Sequence, residues 1–426
     1  MRFSVSKERQ KERRVLLFSL LCVSCVHILF MLFSGKHLLS DNPYNSYARQ
    51  ATAWLQGRLD LGGNYEWLEL AVYGGKYYVS FPSFPSYVLL PFALFFGGQT
   101  PDSLLAFLVM LAGVCYAAKI ALHVKLNENA SVFFAVFLYL SNNLWQITVD
   151  GWVWFFAQNL SLTLTLASFY YALAGKKGRA CFFLVAAAGC RPFQLLYFPL
   201  ICMLLFRAQN GQGFWEKVKM LLRRKVYVFL PALLLGISYL LLNAARFGNP
   251  LEFGHNYLPE FTESEYGQFS SRYIWENLQN LFRMPVFDEA TGKLEVFFFN
   301  GINFFIVYPL LILCIVLFCR WFITADAGRR GHLVLSASAL VLCTAHLFLF
   351  LMHKTMGGAH FGNRYVADLM PAVYVLAILS AAGYDTAKAS GNREGNCGAL
   401  PFFAGLLCIC GLVFNFTGVL QFYGRG

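Results

Sequence analysis

The chain alternates long apolar runs with short polar stretches from one end to the other. Most of these runs hold about twenty residues, enough for a helix to cross a hydrocarbon core roughly 30 Å thick. Helices satisfy their own backbone hydrogen bonds, so such runs predict helices that are stable in lipid. The runs cover residues 15–34, 83–98, 102–122, 129–147, 152–174, 180–206, 226–245, 297–319, 332–353, 366–384 and 399–422.

This pattern predicts an all-α polytopic membrane protein with about ten to twelve transmembrane or re-entrant helices. The composition agrees, because 58% of the residues are hydrophobic, only 13% are charged, and the mean hydropathy is +0.53. These values exclude a soluble globular domain. We predict a single membrane domain (1–426) with a first span (15–34), a first extracytoplasmic loop (35–82), a helical core (83–245), a second extracytoplasmic loop (247–296) and C-terminal helices (297–422).

The net charge of +12 reflects membrane topology and not a nucleic-acid partner, because the basic residues cluster in short stretches between apolar runs. The positive-inside rule then predicts a cytosolic N terminus, an outer C terminus and a location in the cell membrane. The basic clusters lie within residues 2–14, at Lys176, Lys177 and Arg179, within 217–225, at Arg320, Arg329 and Arg330, and at Lys388 and Arg393.

The first apolar run predicts an uncleaved signal anchor. A cleaved secretory signal is the alternative, but the run is long for one and no clean small-x-small cleavage pattern follows it. Most of the twelve cysteines lie inside apolar runs, and none lies in segments 35–82, 247–296 or 354–364. The sequence therefore implies no disulfide framework.

Two of the apolar runs do not fit a single helix that crosses the membrane once. Both flanks of 180–206 are basic, so a single crossing cannot connect them, and Cys190-Arg191-Pro192 interrupts the run. Proline forbids the helical hydrogen bond there, which predicts a hairpin of two half-helices broken at this triplet. The run 83–98 has only sixteen residues and contains Pro85 and Pro91, so it is a second re-entrant candidate.

Asp41 opens the first loop a few residues after a span and is a candidate general base that could take a proton from an acceptor hydroxyl. The alternative is a helix N-cap, because Asn42 and Pro43 follow it. Behind it, residues 47–59 repeat apolar positions every three to four residues, which predicts an amphipathic helix at the membrane surface.

Further along this loop, Gly74-Gly75 predicts a turn before Lys76 and Tyr78. Lys76 could contact a phosphate beside aromatic faces that suit a sugar, or it could be a snorkelling residue in an aromatic belt. Glu66 and Glu69 are second acidic candidates, and each could equally be a solvated loop charge.

Charged residues near membrane depth are costly, and this makes them functional candidates. Arg191 could hold a phosphate or bond to the carbonyl groups of a half-helix. Arg364 presents a planar, permanently charged fork at headgroup level, where it could bind a donor phosphate or only anchor the chain. His360 could assist phosphate or acceptor, or cap a helix. Asp150 among nearby tryptophans and His255 in the second outer loop complete the substrate-binding candidates.

Five segments resemble, in order, bacterial GT-C superfamily glycosyltransferases of the protein-mannosyltransferase-like kind. The late element Gly357-Gly358-Ala359-His360-Phe361-Gly362-Asn363-Arg364-Tyr365 resembles their Gly-Gly-x-x-Phe-Gly-x-Arg-Tyr element. The other segments are the first outer loop with its Phe81-Pro82 and Pro85 pattern, Trp145 to Gln158, Gly189 to Pro192, and Arg246 to Gly254.

The resemblance implies a transferase that moves a sugar from a polyprenyl-phosphate carrier to a glycan, lipid or protein acceptor on the outer face, with inversion at the sugar carbon. It also implies a general base in the first outer loop, which falls on Asp41. Asn42 stands where some relatives carry a second carboxylate, which weakens the case for a bound divalent cation, and we assign no metal ligands. A transporter or lipid flippase is the alternative, since broken helices and intramembrane charges suit it too.

Overall fold

The computed structural model describes residues 2–207, 216, 226–290, 292–324, 330–389 and 399–424. The basic cluster at 217–225 and the predicted cytosolic residues Arg329 and Arg393 lie outside these ranges. The helices are α1 (Arg2–Ser34), α2 (Ser46–Leu55), α3 (Phe84–Phe96), α4 (Asp102–His123), α5 (Glu128–Leu140), α6 (Trp145–Val149), α7 (Val153–Leu173), α8 (Lys177–Ala188), α9 (Phe198–Arg207), α10 (Leu230–Phe247), α11 (Pro259–Thr262), α12 (Ile274–Phe282), α13 (Phe304–Val307), α14 (Pro309–Thr324), α15 (Arg330–Met352), α16 (Met370–Ala389) and α17 (Ala399–Tyr423).

Within the described residues, six helical segments are long and apolar enough to cross a membrane. They are Lys7–Ser34, Asp102–His123, Val226–Phe247, Leu335–Met352, Arg364–Gly383 and Ala399–Tyr423. Three shorter apolar segments accompany them: Glu128–Leu140, Pro192–Phe206 and Pro309–Ile323. The prediction of a polytopic helical membrane protein is confirmed.

Helix α7 forms the centre of the bundle and is buried along nearly its whole length. It packs most extensively against α4 and α8. Its polar side chains bond to the backbone of these neighbours: Asn159 donates to Ala106 O at 2.8 Å and Thr163 to Val109 O at 3.0 Å. These hydrogen bonds allow a polar helix to be buried.

The run 180–206 is broken at the Cys190-Arg191-Pro192 triplet. Helix α8 ends at Ala188, Arg191 is extended, and a 3₁₀ helix (Pro192–Tyr197) leads into α9. Helix α8 runs antiparallel to α7, and the chain after the break runs parallel to α7. Both ends of the run therefore lie near the C-terminal end of α7. The successive contacts are Ser168 with Ala180, Ser161 with Ala187, Thr165 with Gln194, and Phe169 with Tyr197.

The run 83–98 forms the thirteen-residue helix α3, which has Pro91 inside it. At 1.5 Å per residue this helix covers about 20 Å, less than the hydrocarbon core. Its first amide, at Phe84, donates to Gly189 O at 2.9 Å, so α3 begins where the hairpin of α8 and α9 turns. The two short elements therefore meet.

Two small antiparallel hairpins depart from the all-α prediction. One pairs β1 (Leu70–Tyr73) with β2 (Lys76–Val79), and the other pairs β3 (Val286–Asp288) with β4 (Lys293–Glu295). Gly74 and Gly75, with φ of 57° and 72°, form the turn of the first hairpin, in the left-handed region where glycine is favoured. The span predicted over 297–319 also differs from the structure, because its long helix begins only at Pro309.

The first and second loops (35–82 and 247–296) are joined at this first hairpin. Arg246, at the end of α10, is buried and donates to Val79 O at 3.2 Å and to Asn243 Oδ1 at 2.9 Å. Its guanidinium also lies 4.9 Å from the Phe247 ring. The hairpin and the start of the second loop are thus held together beside the candidate site.

Candidate active site

A cavity of about 470 Å³ lies between the first loop (35–82), the second loop (247–296), the break at residue 191 and the late Gly-Gly element. Four predicted site residues line it together: Glu69, Arg191, His255 and Arg364. Its aromatic walls suit a sugar ring, because faces such as Trp154 present an apolar surface beside polar groups. The other titratable and aromatic lining residues include Glu260, His353, Tyr47, Trp154, Phe81 and Tyr365.

Arg191 is held from one side by an ion pair. Its Nε and Nη2 donate to Asp368 Oδ2 at 3.0 and 2.7 Å. The Asp368 side chain is 2% exposed to solvent, and the Arg191 side chain is 19% exposed. The aspartate therefore fixes the guanidinium and leaves part of it open to the cavity.

Arg364 is held in a similar way by a backbone group. Its Nε donates to Gly357 O at 2.9 Å, while its buried Nη1 has no hydrogen-bond partner. Gly357 has a φ of 111°, and a Cβ there would come within 2.6 Å of Arg364 Nε, so glycine is required for this close approach. An unpartnered guanidinium nitrogen beside a cavity favours binding of an anion.

Tyr365 lies between the two arginines. The guanidinium carbons of Arg191 and Arg364 are 5.1 and 5.0 Å from the centre of its ring. Cation–π contact offsets part of the cost of bringing two like charges together. The arrangement presents two cations to one cavity, a geometry that suits a phosphate group.

Glu69, just before β1, is the carboxylate of the first loop that faces the cavity. Its Oε2 accepts a 2.9 Å hydrogen bond from Trp154 Nε1, and its other oxygen is left for a ligand. The side chain is open to the cavity but surrounded more widely by protein, and this desolvation raises the pKa of the Glu69 carboxyl. The Trp154 hydrogen bond and the positive charge of Arg364 act in the opposite direction.

Glu260 is a second carboxylate in the cavity that the sequence did not single out. It comes from the second loop, and its backbone oxygen accepts a hydrogen bond from Lys354 Nζ at 2.6 Å. Its negative charge contributes to raising the pKa of Glu69. The first and second loops therefore each contribute a carboxylate to the cavity lining.

Two histidines line the cavity as neutral rings. Burial lowers the pKa of His255 to about 3 and that of His353 to about 4, and the two arginines reinforce both shifts. His255 Nδ1 lies 3.2 Å from Ser80 O, and His353 Nε2 lies 3.1 Å from Gln268 Nε2. They serve as hydrogen-bonding groups and not as cations near neutral pH.

Four predicted residues of the first loop and the late element lie away from the cavity lining. Lys76 is exposed and lies 3.6 Å from Asp60, and Tyr78 packs on Phe247. Glu66 is exposed. His360 is buried beneath the Gly-Gly element, where burial lowers its pKa to about 3.

Asp41 is also exposed and is not among the residues that line the cavity. Its alternative role as a helix cap is wrong, because α2 is capped by Asn45, whose side chain accepts from Ala48 N at 3.1 Å. The buried carboxylate of this region is Asp102, which accepts 2.9 Å hydrogen bonds from the amides of both Asn42 and Asn45.

Asp150 is buried in an ion pair and does not line the cavity. Its Oδ2 lies 3.1 Å from Lys36 Nζ, which itself lies 4.3 Å from the centre of the Tyr423 ring. The ion pair between Lys36 and Asp150 thus joins the end of α1 to the start of α7.

An apolar groove of about 570 Å³ adjoins the cavity. It runs between α8 and α10, past Gly189, Gly236 and Leu240. Pro82, Pro192 and Phe253 line both the groove and the cavity, so the two spaces share a wall. A ligand with a charged head and an apolar tail would fit across this boundary.

A divalent cation such as Mg²⁺ needs several oxygen ligands that converge on one point. Within the described ranges, no group of three or more His, Cys, Asp or Glu side chains is placed to hold a metal ion. The cavity offers Glu69 and Glu260 from separate loops.

No known sequence family matches the chain, and no curated protein matches it at a significant level. Its structure is similar to that of an oligosaccharyltransferase from Archaeoglobus fulgidus, with a TM-score of 0.56 and 12% identity over 97% of this chain and 56% of that one. It is also similar to ArnT from Cupriavidus metallidurans, with a TM-score of 0.53 and 13% identity over 95% of this chain and 77% of that one. The chain thus spans little more than half the length of the oligosaccharyltransferase. This chain shares the fold of these two structures, which is the GT-C fold.

Proposed function

We propose that this GT-C-fold protein is a membrane glycosyltransferase that moves a sugar from a polyprenyl-phosphate carrier to an acceptor. The proposal rests on one observation. A cavity lined by two arginines shares a wall with an apolar groove. The groove would take the polyprenyl chain, and the cavity would take the phosphate and the sugar. The acceptor, a glycan, lipid or protein, would enter from the aqueous side.

In this proposal Arg191 and Arg364 hold the phosphate of the donor. Each guanidinium is fixed at one edge, by Asp368 or by Gly357 O, so little side-chain entropy remains to be lost on binding. Charge builds on the phosphate oxygens as the bond to the sugar breaks, and prearranged cations stabilise that charge.

Glu69 is the general base of the proposed reaction. The acceptor hydroxyl oxygen attacks C1 of the sugar while its proton passes to Glu69, and the bond between C1 and the phosphate oxygen breaks. The electron pair of that bond leaves with polyprenyl phosphate. Attack from the side opposite the phosphate inverts C1. No step is assigned to a divalent cation.

The sequence suggested different residues for two of these roles: the resemblance implied Asp41 as the base, and the residues of the first loop suggested Lys76 as a phosphate contact. The cavity favours Glu69 for the base because its carboxylate faces the arginines, whereas Asp41 is exposed outside the lining. Arg191 replaces Lys76 as a proposed phosphate ligand because Arg191 lines the cavity and Lys76 does not.

The extracytoplasmic side is proposed for the cavity on the basis of charge. Lys125 and Lys176 follow the C-terminal ends of α4 and α7, the end of the bundle opposite Trp154 and Glu69. Basic residues mark the cytosolic face, so the cavity would open on the other face.

Purified protein in nanodiscs, incubated with a panel of polyprenyl-phosphate sugars and candidate acceptors, tests the proposal. We expect release of free polyprenyl phosphate with at least one donor. A transporter or lipid flippase would instead move the intact donor between leaflets without releasing the phosphate, and that outcome would overturn the assignment.

A further inference from the structure

A second charged pocket lies at the other end of the bundle. It has a volume of about 390 Å³ and is formed where the first turns of α1 meet the C-terminal end of α4. Four permanently basic side chains line it, together with His123, Leu122, Tyr170 and two carboxylates. The basic residues are Arg9, Lys11, Lys119 and Lys125, and the carboxylates are Glu8 and Glu12.

The pocket lies at the level of lipid headgroups. The charge-free run of α1 begins only at Val15, after the residues that line the pocket, and the span of α4 ends at His123. Phosphate groups of the bilayer lie in this layer between the hydrocarbon core and the water. A basic pocket between helix ends on the cytosolic side is a typical site for an anionic headgroup.

The charges of the pocket are only partly balanced by the protein. Glu12 lies 3.7 Å from Lys119 Nζ, whereas no salt bridge within 4.0 Å joins Arg9, Lys11 or Lys125 to any side chain in the described ranges. The carbonyl groups at the end of α4 favour cations there but do not neutralise them fully. An added anion would balance the remaining positive charge.

The backbone conformation of Lys125 is a second, independent feature of this pocket. It has a φ of 72°, in the left-handed region, directly after the end of α4 where glycine is the usual residue. A lysine at this position costs backbone strain that glycine would avoid. Lys125 nevertheless holds this conformation, and it is one of the residues that line the pocket.

We propose that this pocket binds an anionic phospholipid of the cytosolic leaflet. The lipid phosphate would contact Lys119 and Lys125, and Leu122 and Tyr170 would contact the start of its acyl chains. Tyr170 suits this place because its ring already lies 5.8 Å from Lys119 Nζ and packs 6.0 Å from Tyr116. The site is separate from the catalytic cavity and does not depend on the proposed transferase activity.

Binding of phosphatidylglycerol to the full-length protein, measured by native mass spectrometry against phosphatidylcholine, tests this proposal. Lys119→Gln and Lys125→Gln should each weaken phosphatidylglycerol binding about fivefold, the usual effect of one basic residue near an anionic headgroup. Lys176→Gln removes an exposed charge near the same bundle end but outside the pocket, and should leave binding unchanged.

Lys125→Gly separates binding from folding. Glycine relieves the left-handed strain, so the Tm should stay the same or rise while phosphatidylglycerol binding falls to the level of Lys125→Gln. Equal binding by the wild type and all three pocket variants would overturn the proposal. Displacement of the lipid by equimolar inorganic phosphate would also overturn it, because the site would then recognise a free anion.

Discussion

Trp154 at the start of α7 donates a 2.9 Å hydrogen bond to the carboxylate of Glu69 in the first loop. The bond fixes one oxygen of the carboxylate and leaves the other facing the cavity that Arg191 and Arg364 also line. The hydrogen bond thereby ties a side chain of the first loop to α7, the central helix of the bundle. The relationship gives the proposed mechanism its most direct tests.

Glu69→Gln should lower turnover by about a hundred- to ten-thousand-fold, because the amide cannot accept the proton of the acceptor. Its size is unchanged and its oxygen can still accept the Trp154 hydrogen bond, so the Tm should change little. Release of polyprenyl phosphate in nanodiscs measures turnover. Asp41→Asn is the matched control and should retain nearly full turnover. The reverse result, with Asp41→Asn inactive and Glu69→Gln active, would return the base to Asp41.

The pH dependence of kcat/KM should show an acidic limb above the ordinary glutamate pKa of about 4.3, because burial raises the pKa of Glu69. Only the ionised carboxylate can act as a base, so activity rises as pH increases through this limb. Trp154→Phe removes a hydrogen bond that lowers the pKa, and the limb should therefore move to still higher pH. A limb that stays in place or moves down would contradict the proposed role of Glu69.

Arg364→Gln should raise the donor KM by about ten- to a hundredfold, because a hydrogen bond to a charged group is worth about 1.5–3 kcal/mol. Glutamine can still reach Gly357 O, so the Gly-Gly element should keep its conformation. Michaelis kinetics with a lipid-linked sugar measure the effect. Lys76→Gln removes an exposed cation outside the cavity lining, and its donor KM should match the wild type.

Arg191→Leu should destabilise the protein by about 3 kcal/mol, since it leaves Asp368 buried without its partner. The double variant Arg191→Leu/Asp368→Leu removes both charges and should recover most of that stability. Thermal unfolding in detergent gives the comparison. Activity should stay low in both variants, because the phosphate loses a cation in each. Equal instability of the single and double variants would show that the pair does not account for the loss.

Gly236→Leu should weaken donor binding by narrowing the apolar groove. A Cβ at this position meets nothing nearer than Val185 at 3.8 Å, so the substitution fills space without a clash. The donor KM should rise severalfold, and more for long polyprenyl chains than for short ones. Gly405→Leu adds the same side chain at an open position on α17 and should be neutral. Equal effects of the two substitutions would remove the groove from the donor site.

Much of the fold could be predicted because hydropathy is a property of continuous segments. The break at Arg191 was visible because proline and basic flanks are local signals. The helix predicted over 297–319 begins later, at Pro309, because an apolar composition does not show where an irregular segment gives way to a helix. The Leu70–Val79 hairpin was missed although its Gly-Gly turn was recognised.

The site was harder to predict because it depends on contacts between distant segments. Arg364 and Glu69 were among the candidates, but the sequence could not show that Glu69 faces the cavity while Glu66, three residues earlier, does not. His353 was counted inside an apolar run. Glu260 lies among several acidic residues of the second loop, and only the fold distinguishes it.

The polar side chains of α7 have a consequence for biogenesis. Asn159 and Thr163 are satisfied by carbonyl groups of α4, at Ala106 and Val109. A newly made α7 that met lipid alone would leave its amides and hydroxyls unpaired, at a cost of several kcal/mol for each group in hydrocarbon. Since α4 is synthesised first, the newly made α7 is best released from the translocon directly against it. The two helices would then enter the bilayer as one unit.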